Sequence, residues 1–208
     1  MQNSHIIGGE FGIDLQGFQY AQSNNGFLEG IYKYSSGRSA LYYILLDVQK
    51  RYGITTAYLP NYLCSSVVVA AEKSQVKVVF YNLNDQLEID IEKFPLDDNE
   101  KAAVLLINYF GLKSLQLQVE LVRSISMEAI VIEDDVQAFY EFCKPELAAD
   151  YKFTSLRKTF ACPDGGLVKT AKQLTVVTEV NKFHQFKLAG CILKSLRKPK
   201  YYDDDVYL

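Results

Sequence analysis

Two stretches decide the fold: Ala103-Val-Leu-Leu-Ile-Asn108 and, one helix-length later, Ala129-Ile-Val-Ile-Glu133. Each is an almost unbroken apolar run of strand length that stops on a polar side chain, the pattern of a strand buried on both faces. Similar runs lie at 56–59 and 76–81. Between them, at 39–52, 65–73 and 115–127, apolar residues return every three or four positions, which is the helical period. Strand, helix, strand in that order predicts right-handed crossovers and a mainly parallel sheet with helices on both faces. Ligands then belong beyond the carboxyl ends of the strands.

Two of those ends carry unusual polar residues, Asn108 in one and Glu133-Asp134-Asp135 in the other. After Asp150 the chain changes character, giving Phe153-Thr-Ser-Leu-Arg-Lys158, then Pro163-Asp-Gly-Gly166, then a helical pattern over 178–197. Residues 95–99 read as a solvated loop.

The 208 residues, 49% hydrophobic and 23% charged, suit a single globular domain, and a formal charge of −3 gives no basic footprint for nucleic acid or a membrane surface. No apolar run is long enough to span a bilayer and no secretory leader precedes the fold, so a cytoplasmic protein is expected. Cys64, Cys143, Cys162 and Cys191 form no CxxC pair and read as buried, reduced thiols. His5 and His184 have no second ligand at a metal spacing and read as surface residues; no metal is expected.

Three motifs carry chemistry. Ser35-Ser-Gly-Arg-Ser-Ala-Leu41 leads small hydroxyl residues and a glycine into a helix, so free amides and the positive helix end suit a phosphate; a plain serine N-cap explains the same residues. Asp134 ends an apolar strand, where a buried carboxylate needs a cationic partner; the competing reading has Asp134 capping the next helix while Glu133 and Asp135 face solvent. Gln137 returns to the side of Asp134 if a helix starts there. Ser155-Leu-Arg-Lys158 sets an amine nucleophile three residues after a hydroxyl, although a lysine in a basic pair is more often a solvated surface residue.

Together with Leu59-Pro-Asn-Tyr62 and Asn108-Tyr-Phe-Gly111, these motifs occur in an order that resembles the DegT-type sugar aminotransferases, which have the fold type I aspartate aminotransferase fold. The resemblance covers about 34–170. It implies a three-layer α/β/α domain with a mixed, mainly parallel seven-stranded sheet and pyridoxal 5′-phosphate (PLP) at its carboxyl edge. Carried over by residue, Lys158 resembles the Schiff-base lysine and Asp134 the acid paired with the pyridine nitrogen. Gln137 resembles the residue beside the ring and its phenolic oxygen. Gly37, Arg38 and Ser39 match the phosphate loop, Ser155 a further phosphate contact, and Asn108 a polar residue close to the cofactor. An acid at the ring nitrogen keeps it protonated, so that the ring accepts electrons.

The implied reaction moves an amino group from an amino acid, with glutamate the expected donor, to a keto-sugar nucleotide in surface polysaccharide or related biosynthesis, within a homodimer. The sequence departs from the family at Arg38, where threonine is usual, and at Cys64, near the usual stacking aromatic, for which Tyr62 or Tyr109 can substitute. It also departs in the short Ser155-to-Lys158 interval and in length. Residues 1–208 read as the large domain alone, with the small C-terminal domain absent or truncated. The alternative is a catalytically inactive chain of the same fold with a binding or scaffold role. A nucleotide-binding α/β domain is disfavoured because no GxGxxG follows an early strand.

Overall fold

Val104, Leu105, Leu106 and Ile107 are all buried, and alternate members face two different cores. This is the central strand that the apolar run predicts. In the computed structural model, which describes residues 29–175 and 184–196, seven strands form one sheet. They are β1 (Tyr32–Tyr34), β2 (Thr56–Pro60), β3 (Lys77–Tyr81), β4 (Ala103–Ile107), β5 (Ile130–Asp134), β6 (Tyr151–Ser155) and β7 (Gly166–Lys169). The order is β1-β7-β6-β5-β4-β2-β3. Strands β2 to β6 are parallel to one another, and β7 runs antiparallel to both β6 and β1. The expected architecture, a seven-stranded mixed and mainly parallel sheet between helical layers, is what the chain adopts.

The helices are α1 (Gly37–Tyr52), α2 (Ser65–Ser74), α3 (Gln116–Ile125), α4 (Phe139–Cys143) and α5 (His184–Leu196). Leu41, Ile44, Leu45 and Val48 of α1 pack in one core with Leu105, Ile132 and Phe153. On the other face Val119 and Val122 of α3 pack in a second core with Val104, Leu106 and Val131. The period of two along each strand thus feeds both cores. Ser36 caps the start of α1, and Gly53, at φ 70°, ends it with its amide on the Gln49 carbonyl at 2.9 Å. Buried Asp47 pins the chain leaving β7 to α1: its carboxylate accepts from the Tyr151 hydroxyl at 2.7 Å, the Thr175 amide at 2.8 Å and Arg51 Nε at 3.3 Å.

Some expectations need correction. Strands β6 and β7 lie where the sequence reading saw only a change of character, and α3 starts and stops inside the expected 115–127. The expected helix over 178–197 is helical in its described part, α5, and the rest falls outside the described residues, as do His5 and the side chain of His184. None of the four cysteines is in a disulfide, but only Cys191 is buried; Cys64 is exposed at the N-cap of α2. No helix of the described residues is long and apolar enough to cross a membrane, and they contain no cluster suited to a metal ion.

Candidate functional site

Strands β2, β4, β5 and β6 run the same way, so the segments that follow them share one edge of the sheet. On that edge stand Tyr62 and Cys64 after β2, Asn108 and Tyr109 after β4, Asp134 at the end of β5, and Ser155 and Lys158 at the end of β6. The N-terminus of α1 joins them. A Cβ placed on Gly37 would lie 3.1 Å from Ser155 Cβ, 3.3 Å from Val136 Cγ2 and 3.7 Å from Ser155 Oγ.

This corner has the chemistry of an anion cradle. The Ser36 hydroxyl accepts from the Ser39 amide at 3.1 Å, and the Ser39 hydroxyl lies 3.0 Å from those of Ser35 and Ser36. The serine N-cap reading is therefore correct as far as it goes. It leaves the amides of Gly37 and Arg38, the first two of α1, without intrahelical acceptors and at the positive helix end. The cradle is braced from behind by Gly165-Gly166. The Gly165 amide donates to the Ser35 carbonyl at 3.1 Å, and a Cβ on Gly166 would meet Ser36 O at 2.2 Å, so only glycine lets β7 come this close.

Asp134 supplies the opposite polarity. It is buried, and among the described residues its hydrogen-bond donor is the Val136 amide, 2.9 Å from Oδ1, with no cation paired to it. Burial pushes its carboxyl up to about 7, only partly opposed by that amide. A cationic group brought against it would restore the charged form and end the desolvation penalty.

Lys158 ends a single 3-10 turn, Leu156–Lys158, and is exposed. Its ammonium acts on Cys64, whose thiol is held below its usual range first by the Ser66 hydroxyl and then by Lys158 and Arg38, so these three side chains share one rim. Tyr62 and Tyr109 stack with centroids 5.7 Å apart, and the Tyr109 hydroxyl donates to the Tyr62 carbonyl. Burial and then the nearby Asp134 raise the Tyr109 phenol, which sets this aromatic pair beside the carboxylate.

Two expected residues behave differently. Gln137 lies in a turn ahead of α4 rather than in a helix; it is exposed, and its side-chain oxygen accepts from the Phe110 amide at 3.3 Å. The Asn108 amide group donates to Asp135 Oδ1 at 3.2 Å. Glu133 and Asp135 do not face solvent; both are buried and share Lys152. Sequence reasoning missed this cluster, although Tyr151-Lys-Phe-Thr-Ser155 alternates so that Lys152 shares a face with Thr154. A cavity of about 400 Å³ opens beside Glu133 and Lys152, between α3 and α4. It contains none of the residues on the α1 side; the cradle, the unpaired carboxylate and the exposed amine lie instead along the strand edge.

No family model matches this sequence, and no curated protein does. Solved structures do match. A NifS-like protein shares 18% identity at a TM-score of 0.57, over 76% of this chain and 47% of that one. NtdA from Bacillus subtilis, solved with bound cofactor PMP, shares 21% identity at a TM-score of 0.56, over 79% and 39%. A DegT DnrJ EryC1 StrS aminotransferase from Brucella abortus shares 14% identity at 0.52, over 88% and 60%. The fold is that of the large domain of fold type I PLP-dependent enzymes. The chain spans about half the length of these structures.

Proposed function

We propose that this chain is the PLP-binding large domain of a DegT-type aminotransferase, which moves an amino group from an amino acid, glutamate in the first instance, to a keto-sugar nucleotide. The observation that carries this reading is Asp134, a buried carboxylate with no cation, on the same strand edge as an anion cradle and an exposed lysine. A phosphorylated pyridine satisfies both ends at once. The residues fit the group: the Ser36-capped start of α1 offers its first amides to an anion, and Asp134 lacks what a pyridinium would provide.

In this reading Gly37, Arg38 and Ser39, with Ser155, hold the phosphate, and Asp134 holds the ring nitrogen in its protonated form. Tyr62 or Tyr109 covers the ring, and Gln137 stands beside it. Bound PLP supplies an electron sink for the pair released when the substrate Cα–H bond breaks. Lys158 would hold the cofactor through its amine and, exchanged for the substrate amine, would serve as the base for the Cα proton. Its exposure suits that exchange. The aromatic residues Tyr62 and Phe110, exposed at 60% and 59%, favour completion of the site by a second copy of the chain in a homodimer, which light scattering would report.

Titration with PLP, followed by absorbance and then by addition of glutamate, tests the reading. Saturable binding with loss of the visible absorbance of the bound cofactor on glutamate addition is expected. Saturable binding that no amino donor alters would instead favour the non-catalytic scaffold, and absence of saturable binding would overturn the cofactor assignment.

A further inference from the structure

Behind Asp134, on the opposite face of the sheet, three charged side chains are buried together. Glu133 and Lys152 are register partners on β5 and β6, with Lys152 Nζ 3.3 Å from Glu133 Oε2 and 3.8 Å from Asp135 Oδ2. Asp135 is tied to β6 and to the end of β4. Its amide donates to the Phe153 carbonyl at 2.8 Å, its carbonyl accepts from the Thr154 hydroxyl at 2.9 Å, and its Oδ1 accepts from the Asn108 amide group at 3.2 Å. Asn108 in turn donates its backbone amide to the Asp134 carbonyl at 3.0 Å. Among the described residues, Asp135 Oδ2 is a buried oxygen that no donor reaches.

Two carboxylates against one ammonium leave an excess negative charge away from solvent, and a proton is the cheapest remedy. Burial and the neighbouring Glu133 both push the Asp135 carboxyl upward, against Lys152 and the Asn108 hydrogen bond. The other titratable groups that feel Asp135 are Cys143 and Lys144 around α4 and Lys169 on β7. Lys169 Nζ is held on the carbonyls of Phe142 and Lys144, at 2.8 and 2.7 Å. The cavity lined by Glu133, Lys152, Glu141 and Gln116 brings water to the edge of the cluster, so its proton can exchange.

We infer that Asp135 keeps a proton at neutral pH, and that this knot, linked to β4 through Asn108, positions Asp134 from behind the sheet. The inference takes Asp134 as the working carboxylate of the proposed function. Asn108 then acts one step back from the site, as a positioning residue.

The test uses the protein without cofactor, so it does not depend on PLP binding. Carboxyl ¹³C NMR of aspartate-labelled protein follows Asp134 directly. In the parent, Asp134 is expected to titrate far above an ordinary aspartate; Asp135→Asn, which keeps both hydrogen bonds without a charge, leaves it there. Asp135→Ala and Asn108→Ala return it toward the ordinary range as water reaches the loosened strand end. Should Asp135→Ala fail to fold, Asn108→Ala carries the same comparison. An Asp134 titration unmoved in Asn108→Ala and in a folded Asp135→Ala overturns the positioning role. Denaturant unfolding between about pH 5 and pH 8 tests the proton: Asp135→Asn is expected to lose stability with one proton less of pH slope than the parent, and an equal slope overturns the proton on Asp135. Failure of the parent to bind PLP would strike the proposed function alone and leave both of these results readable.

Discussion

Gly37 and Ser155 are so close that a methyl group on the first would sit 3.1 Å from the Cβ of the second. That contact fixes the N-terminus of α1 against the end of β6 and forms the cradle. Gly37→Ala is expected to fold with a loss of about 1–2 kcal/mol, because the neighbours can give by a few tenths of an ångström. Its PLP affinity should fall far more than its stability, as read by titration calorimetry against the parent. Gly166→Ala meets a backbone carbonyl at 2.2 Å, which cannot give, and should cost on the order of 4 kcal/mol or more, measured by denaturant unfolding.

Asp134 gives a prediction with opposite signs in two measurements. Its carboxyl is raised from the unfolded value of 3.8 to about 7, so the stability that its protonated form contributes is present below that unfolded value. It is lost as pH rises toward about 7. Asp134→Asn removes the buried charge, and without cofactor the variant should be more stable than the parent at pH 8, by a few kcal/mol at the order-of-magnitude level. Its retention of PLP should nevertheless weaken, by a factor measurable in equilibrium dialysis. A variant that is both less stable and equally good at binding would make Asp134 an ordinary structural residue.

How much was legible in the sequence follows from which residues had to reveal themselves. Residues 103–107 are apolar throughout because β4 is buried on both faces, and the run marks the strand to the residue. Strand β6 hides because Lys152 interrupts its apolar pattern; only the buried Glu133 opposite makes a lysine tolerable there, and sequence alone does not pair the two. Asp134 was identifiable as a strand-end carboxylate. The neighbouring Asp135 was not, because a residue's face depends on where the strand stops and the turn at Val136-Gln137 begins. Asn108 was placed at the correct strand end, while its partner is set by side-chain packing that no spacing encodes.

Asp47 tests the domain's frame independently of the site. Burial alone would raise its carboxyl, but hydrogen bonds from Thr175, Tyr151 and Arg51 outweigh it and hold the group below its usual range. Its contribution is therefore present above the ordinary aspartate value and lost as pH falls through the lower folded value. Asp47→Ala leaves the buried Tyr151 hydroxyl unpaired and should cost about 2 kcal/mol near neutral pH, with a smaller gap from the parent in acid. Thermal unfolding at a series of pH values checks both the size and the direction.

The assignment of Lys158 is the centre of the account, and reductive trapping tests it most directly. Borohydride added to the protein with PLP should fix the cofactor onto one peptide, the one containing Lys158, as mapped by mass spectrometry. Lys158→Ala should abolish that adduct and leave folding intact, because the side chain is exposed and contributes little burial. Label spread over many surface lysines, and unchanged in Lys158→Ala, would contradict the assignment.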